Sequence, residues 1–296
     1  MLRNLIFWIT QKRWLLFAVL TGLVLYNLET PGGLTVEGYR TLIIVVLTII
    51  MIVFEPVPLP AVGLMILFLQ VFMGIDDPNG VAKSFMSDAV FFIMGSLMLA
   101  VAIVSQGLDK RLALGIIRLT GNKTWRIVFG FVAISAFLSS FIGEHTVTAM
   151  MMPVGLTLVR NAGIDKKGTA KLAALILFSI AYGSAMGSIG TPSGGGRNVI
   201  MMSYWKDFGI VDITYLGWMK RAYPILILEI PLAVLILWFS FRPKQRILDS
   251  AVRRLKIQVK KSGSITGNEI SAIVIFIFVF LGWVFLSPYF GLGIIA

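Results

Sequence analysis

Cysteine is absent from all 296 residues, which excludes disulfides, thiolate metal sites and cysteine nucleophiles. A single histidine, His145, excludes a multi-histidine metal site as well. Charge is also scarce: Asp, Glu, Lys and Arg make up 14% of the chain against 57% hydrophobic residues, with a mean hydropathy of +0.90. A soluble domain carries about 25% charged residues, so the chain reads as an all-α polytopic membrane protein. Acids are the rarer sign, 14 against 26 Lys and Arg, for a net charge of +12. The cations cluster between apolar runs, as positive-inside loops do, so membrane lipid rather than nucleic acid is the expected partner. No small-x-small cleavage site follows the first apolar run, which therefore reads as an uncleaved span.

A spanning helix needs about 20 predominantly apolar residues. On that basis spans are expected near Trp14 to Leu28, Tyr39 to Phe54, Leu59 to Gly74, Phe85 to Gln106, Leu172 to Ile189, Ala222 to Phe241 and Ile270 to Phe290. The prolines of "EPVPLP" separate the second span from the third. Leu112 to Leu119 is too short to cross and is charged at both ends, which fits an interfacial helix.

The segment Ile127 to Val159 has basic residues on both flanks, Lys110 to Arg126 before it and Arg160 to Lys171 after it. Both ends then belong on the cytoplasmic side. Two full spans need about 40 residues, more than the segment offers, so a re-entrant hairpin is expected, turning near "SSFIGEHT". The loop Arg242 to Lys261 is the strongest inside signal and places the N-terminus in the cytoplasm, although Lys220 and Arg221 oppose that topology mildly.

A hairpin turn leaves orphan N–H groups at the start of its second helix, and these with the helix dipole favour anions. Thr146 and Thr148 are placed to cap that helix or to donate to a ligand. A second break follows in "AYGSAMGSIGTPSGGGRNVIMM", where Gly183, Gly187, Gly190 and Pro192 precede Gly194 to Gly196 and Arg197. Glycines here serve either close helix packing or an unwound segment lining a cavity. Two discontinuous elements are what a secondary transporter's substrate site is built from.

The chain resembles the divalent anion/sodium symporters over residues 40 to 243, through "FEPVPLPAVGLMILFLQVFMGI", "FFIMGSLMLAVAIVSQGLDKRLALGIIRLTG", "FLSSFIGEHTVTAMMMP" and "IGTP" in the family's order. The resemblance implies the first inverted repeat of an elevator-type secondary transporter, with a cytoplasmic re-entrant hairpin and a broken helix. The implied layout is scaffold helices over 1–110, an interfacial helix over 111–126 and the hairpin over 127–160. A broken transport-domain helix follows over 161–210, then a helix over 211–241, a basic loop over 242–268 and the start of a second repeat over 269–296. It also implies a small anion of the dicarboxylate, citrate or sulfate class, Na+ as coupling ion with no other cofactor, H+ being an alternative that Glu144 raises below, and a multi-pass protein of the plasma membrane. The expected assembly is a homodimer, or a complex with a chain supplying the second repeat, since no second hairpin precedes Ala296.

The family's first hairpin carries Ser-Asn-Thr at its tip, and these positions fall on Gly143, Glu144 and His145 here. The family's "GTPPN" appears as "GTPSGGGRN". The implied substrate-binding set is Glu144, His145, Thr146, Thr148, Thr191, Ser193, Arg197 and Asn198; the implied cation-coupling set is Ser139, Gly143, Glu144, Gly183 and Gly190. An ionised Glu144 would repel an anion 4 Å away by about 4 kcal/mol at an effective dielectric of 20. Proton uptake, a bound cation or pairing with Arg197 would each neutralise it. The first, with His145 beside it as a second candidate proton carrier, leads to uptake that depends on pH more than on sodium. Glu144 as a helix cap is the plainer alternative. Glu55 is expected to satisfy proline-broken backbone, and Glu229 to make a polar helix contact. Two rival readings are a transport-inactive regulatory subunit or fragment, and an intramembrane enzyme, which lacks a nucleophile or metal set.

Overall fold

The computed structural model describes residues 13–107, 111, 120–162, 166–260 and 265–296. The interfacial helix expected at 112–119 lies outside them. Among the described residues the structure is helical, with one isolated β-bridge between Lys123 and Ile247. Among the described residues six helical stretches are long and apolar enough to cross a membrane: Val36–Phe54, Pro78–Ser105, which is broken at Met86, Thr124–Ile142, Ala170–Gly187, Tyr215–Phe241 and Gly267–Phe285. Arg13–Tyr26 and Leu59–Phe72 are shorter. Large apolar side chains point outward all along these helices, Phe72 and Phe278 among them, as lipid-facing residues do where helices satisfy their own backbone.

The contacts divide the chain into two compact units at Ser87 and Asp88. The first contains α1 (Arg13–Tyr26), α2 (Val36–Phe54), α3 (Leu59–Phe72) and α4 (Pro78–Phe85). Ala18, Ile43, Leu47, Met51 and Val62 form its core, and Trp14 stacks on Phe54 at 3.7 Å. The α2 helix stops at Glu55, whose backbone is left-handed (φ 44°) and whose N–H returns to the Met51 carbonyl at 3.0 Å. The Glu55 side chain is exposed; its backbone makes the cap.

The second unit begins with α5 (Asp88–Ser105). Two expected span bounds shift here. Phe85 to Gln106 is interrupted at Met86, between α4 and α5. The last span ends at Phe285, and a short turn over Ser287–Phe290 carries Pro288, which cannot donate to a continuing helix.

Next come α6 (Thr124–Ile142) and α7 (Glu144–Arg160), separated by Gly143 alone. Their far ends come back to one place. Thr124 N–H donates to the Arg246 carbonyl, Leu248 N–H to the Asn122 carbonyl, each at 2.9 Å, and Ser250 Oγ to the Asn161 carbonyl at 3.2 Å. The two helices therefore form an antiparallel hairpin whose open end is strapped by residues 246–250. α8 (Lys166–Gly187) packs against both arms, with Ile127, Phe131, Val147, Met151, Leu158, Leu172, Ile176 and Ile180 buried between them.

After α8 the chain breaks over residues 188–195, with a 3₁₀ turn at Pro192–Gly194, and resumes as α9 (Gly196–Asp207). α10 (Tyr215–Phe241) starts earlier than expected, capped by Thr214, and runs through Pro224 and Pro231 without ending. α11 (Asp249–Lys260) and α12 (Gly267–Phe285) follow. Arg111 clamps the start of α12 through a two-pronged pair, Nε to Glu269 Oε1 at 2.8 Å and Nη2 to Oε2 at 2.7 Å, a geometry only arginine offers.

Candidate functional site

The hairpin reverses at Gly143 with φ 83° and ψ 152°, backbone that side-chain-bearing residues adopt at a cost of about 1–3 kcal/mol. Gly143→Ala is accordingly expected to lower stability by about that amount, read as a lower unfolding temperature in detergent. The glycine ends α6 with its N–H on the Ser139 carbonyl (3.3 Å) and starts α7 without a side-chain cap. The first-turn amides of α7 are therefore left to whatever anion approaches.

The broken segment is held by three hydrogen bonds from two side chains. Asn198 Nδ2 donates to the Ser188 and Thr191 carbonyls at 2.7 and 2.8 Å, and Trp218 Nε1 to the Ile189 carbonyl at 2.8 Å. These supply the partners that unwound backbone needs at membrane depth. The Thr191 hydroxyl donates to the Ser140 carbonyl and lies 3.0 Å from Ser193 Oγ, which lies 2.8 Å from Tyr215 Oη. Gly194 fits beneath because a Cβ there would come within 3 Å of the carbonyls of Ser188, Ser140 and Ser139. α9 then starts at Gly196, again without a side-chain cap.

The result is a hollow of about 280 Å³ bounded by Ile142 to Thr146, Ser193 to Arg197 and, from α5, Ile93, Ser96 and Leu97. Two uncapped helix N-termini, those of α7 and α9, meet there. Within it the Glu144 side chain, 24% exposed, accepts from Arg197 Nη2 at 3.2 Å and from Ser188 Oγ at 3.1 Å, both at Oε2. Arg197 also donates to Ser188 Oγ. The His145 ring is 98% exposed, with Nε2 3.6 Å from Glu144 Oε1.

Of the residues expected to bind substrate, Glu144, His145, Thr146, Ser193 and Arg197 border the hollow. Thr148 does not: two residues beyond Thr146 on an α-helix is about 200° of rotation, and it leaves the lining. Thr191 and Asn198 are buried behind it and hold its wall. Of the expected coupling set, only Gly143 and Glu144 reach the hollow. Ser139 is buried with its hydroxyl on the Ser184 carbonyl at 2.6 Å. Gly183, Gly187 and Gly190 allow close packing, since a Cβ at each would come within 2.6 Å of the Val132 carbonyl, the Ala136 carbonyl and Ser140 Oγ respectively.

Sequence reasoning passed over Ser188 and Tyr215. A serine at the first residue past α8 was the available signal for Ser188; Tyr215 had none, because its role depends on α10 folding back against the break. Glu229 Oε2 is buried with no hydrogen-bond partner among the described residues, so the helix contact expected of it is not made there.

Fold and site together define a multi-pass α-helical membrane protein with a helical hairpin and a broken helix, the discontinuous elements from which secondary transporters build their sites. Residues 9–295 match the family described as the sodium:sulfate symporter transmembrane region. The chain belongs to this family. It is 30% identical over 249 residues to a Caenorhabditis elegans protein named sodium-dependent high-affinity dicarboxylate transporter 3, covering 79% of this chain and 44% of that one. It is 26% identical over 261 residues to the sodium-dependent dicarboxylate transporter SdcS of Staphylococcus saprophyticus, covering 86% of this chain and 50% of the relative. The chain thus spans about half the length of the curated relatives it matches.

Proposed function

We propose that this chain takes part in secondary active transport of small anions of the dicarboxylate class across the plasma membrane, driven by a sodium gradient. The convergence of two uncapped helix N-termini and Arg197 on one hollow carries the reading. Each helix terminus presents roughly half a positive charge, and arginine adds a full one with donors suited to a carboxylate. The names of the relatives supply the dicarboxylate and the sodium. Of the three ways to neutralise Glu144, pairing with Arg197 is supported by their 3.2 Å separation. It makes proton uptake unnecessary for that purpose, so sodium is the preferred coupling ion over H+.

The hollow supplies part of the site in this reading. The rest comes from residues corresponding to the remaining length of the relatives, in the same or a partner chain, within a homodimer. The hairpin enters the membrane from the cytoplasm, on the side of the N-terminus, and the second unit moves as the transport domain of an elevator.

The test is uptake of succinate, malate, citrate and sulfate into proteoliposomes bearing the native assembly, with sodium and proton gradients imposed separately. An inward sodium gradient is expected to raise the initial rate for a dicarboxylate about tenfold or more over equilibrated sodium, while a proton gradient alone leaves it near baseline. Uptake that follows the proton gradient and ignores sodium would reverse the choice of ion, and no gradient-driven uptake of any of the four would overturn the reading.

A further inference from the structure

We propose that the open end of the hairpin, where residues 246–250 strap α6 to α7, docks onto the membrane surface by binding the phosphates of anionic phospholipids. The proposal goes beyond the anion-transport reading and does not depend on which substrate is carried.

The strap uses the backbone of Arg246 and leaves its side chain free. Thr124 N–H donates to the Arg246 carbonyl, and the Thr124 hydroxyl to the Gln245 carbonyl at 2.7 Å. Leu248, Ala251 and Val252 are buried in the core that the hairpin arms share, which turns the other side of α11 outward. Arg246 and Arg253 are exposed there, and Lys123, Arg126 and Arg160 are exposed at the neighbouring ends of α6 and α7. None of these five enters an ion pair among the described residues. The one acid of the strap, Asp249, accepts from Asn122 Nδ2.

Two observations identify lipid as the source of the negative charge. The first is depth. α6 begins and α10 ends beside the strap, and both are long and apolar enough to span, so the cations stand where hydrocarbon gives way to headgroups. The second is the apolar side chains set among the cations. Trp125 is 49% exposed with the Arg126 guanidinium 5.6 Å from the centre of its ring, and Ile247 and Ile257 are 56% and 52% exposed. Ile257 lies one turn beyond Arg253, on the same face of α11. A water-soluble anion buries none of these side chains, whereas the acyl boundary beneath a layer of phosphates does, as for an interfacial amphipathic helix. The sequence of α11, "DSAVRRLKIQVK", adds Arg254, Lys256 and Lys260, a density of cations that suits anionic headgroups.

A ligand that binds only the folded protein raises its unfolding temperature. The native assembly, in a neutral detergent at low salt, is therefore titrated with dioleoylphosphatidylglycerol. Half-maximal stabilisation is expected at a lipid fraction about tenfold or more below that needed with dioleoylphosphatidylcholine, which has the same chains and no net charge. Glycerol 3-phosphate, a phosphate without chains, is expected to give no shift. Each cation near an anionic surface contributes about fivefold in affinity, so Arg246→Gln/Arg253→Gln should raise the half-maximal fraction about 25-fold. Arg246→Lys/Arg253→Lys, which keeps both charges, should stay within about threefold of wild type. Lys220→Gln/Arg221→Gln, the same loss of charge near the other end of α10, should stay within about twofold. No response to phosphatidylglycerol, equal responses to the two lipids, or a wild-type response in Arg246→Gln/Arg253→Gln overturns the proposal. A shift with glycerol 3-phosphate as large as with phosphatidylglycerol assigns the cations to a soluble anion and overturns it as well.

Discussion

Arg197→Gln is expected to weaken apparent affinity for the transported anion by roughly 30- to 1,000-fold while the protein still folds. The range corresponds to about 2–4 kcal/mol: a lost charge-assisted hydrogen bond of about 1.5–3 kcal/mol, plus a repulsion from the unpaired carboxylate that solvent at this half-exposed wall screens to about 1 kcal/mol. Arg197 is 58% exposed on the wall of the hollow, and its partners there are Glu144 and Ser188, so no packed core depends on it. The double variant Glu144→Gln/Arg197→Gln removes both charges of the pair. It should regain the part of the affinity that this repulsion cost Arg197→Gln alone, a coupling that a thermodynamic cycle measures directly. Additive losses in that cycle would show that the two side chains act independently, and an unchanged affinity in Arg197→Gln would remove the anion site from this hollow.

Gly187→Leu is expected to abolish transport and to lower the yield of folded protein sharply. A Cβ at Gly187 would lie 2.1 Å from the Ala136 carbonyl oxygen and 2.4 Å from the Ala136 Cα, distances that no rotamer relieves because both atoms are backbone. α8 must therefore move away from the first arm of the hairpin. That separation would break the bonds from Ser139 Oγ to the Ser184 carbonyl and from Ser140 Oγ to the Gly187 carbonyl. Overpacking alone costs about 1–3 kcal/mol, and each buried polar group left unpaired about 1–3 more. Size-exclusion profiles and unfolding temperature in detergent check this, with Gly187→Ala as the milder step. Gly121→Ala has open space around its Cβ but a φ of +70°; there only backbone strain acts, so its effect should be much smaller.

These variants separate two roles that sequence could not. A glycine beside a helix break satisfies either a packing rule or an unwound, ligand-lining segment, and the same letters serve both. Gly183, Gly187 and Gly190 proved to be places where a neighbouring arm comes too close for a Cβ, whereas Gly143 is set by its backbone angle. Asn198, expected to face a ligand, donates instead to carbonyls of the break, and the Thr191 hydroxyl donates to the Ser140 carbonyl of the hairpin's first arm.

The sequence by itself determined what is local. Helices, their proline and glycine breaks, and the turn at Gly143 depend on apolar run length, missing donors and permitted backbone angles, all written in a few consecutive residues. So did the placing of Glu144 at the start of a helix, where an acid is favoured. Only the tertiary structure decided what lies opposite it. Glu144, Ser188 and Arg197 are separated by up to 53 residues, and their meeting depends on α8 lying along both hairpin arms and on Asn198 and Trp218 folding the break back on the tip. Those contacts are many small packing and hydrogen-bond energies summed over distant segments, and no short pattern of residues encodes their sum.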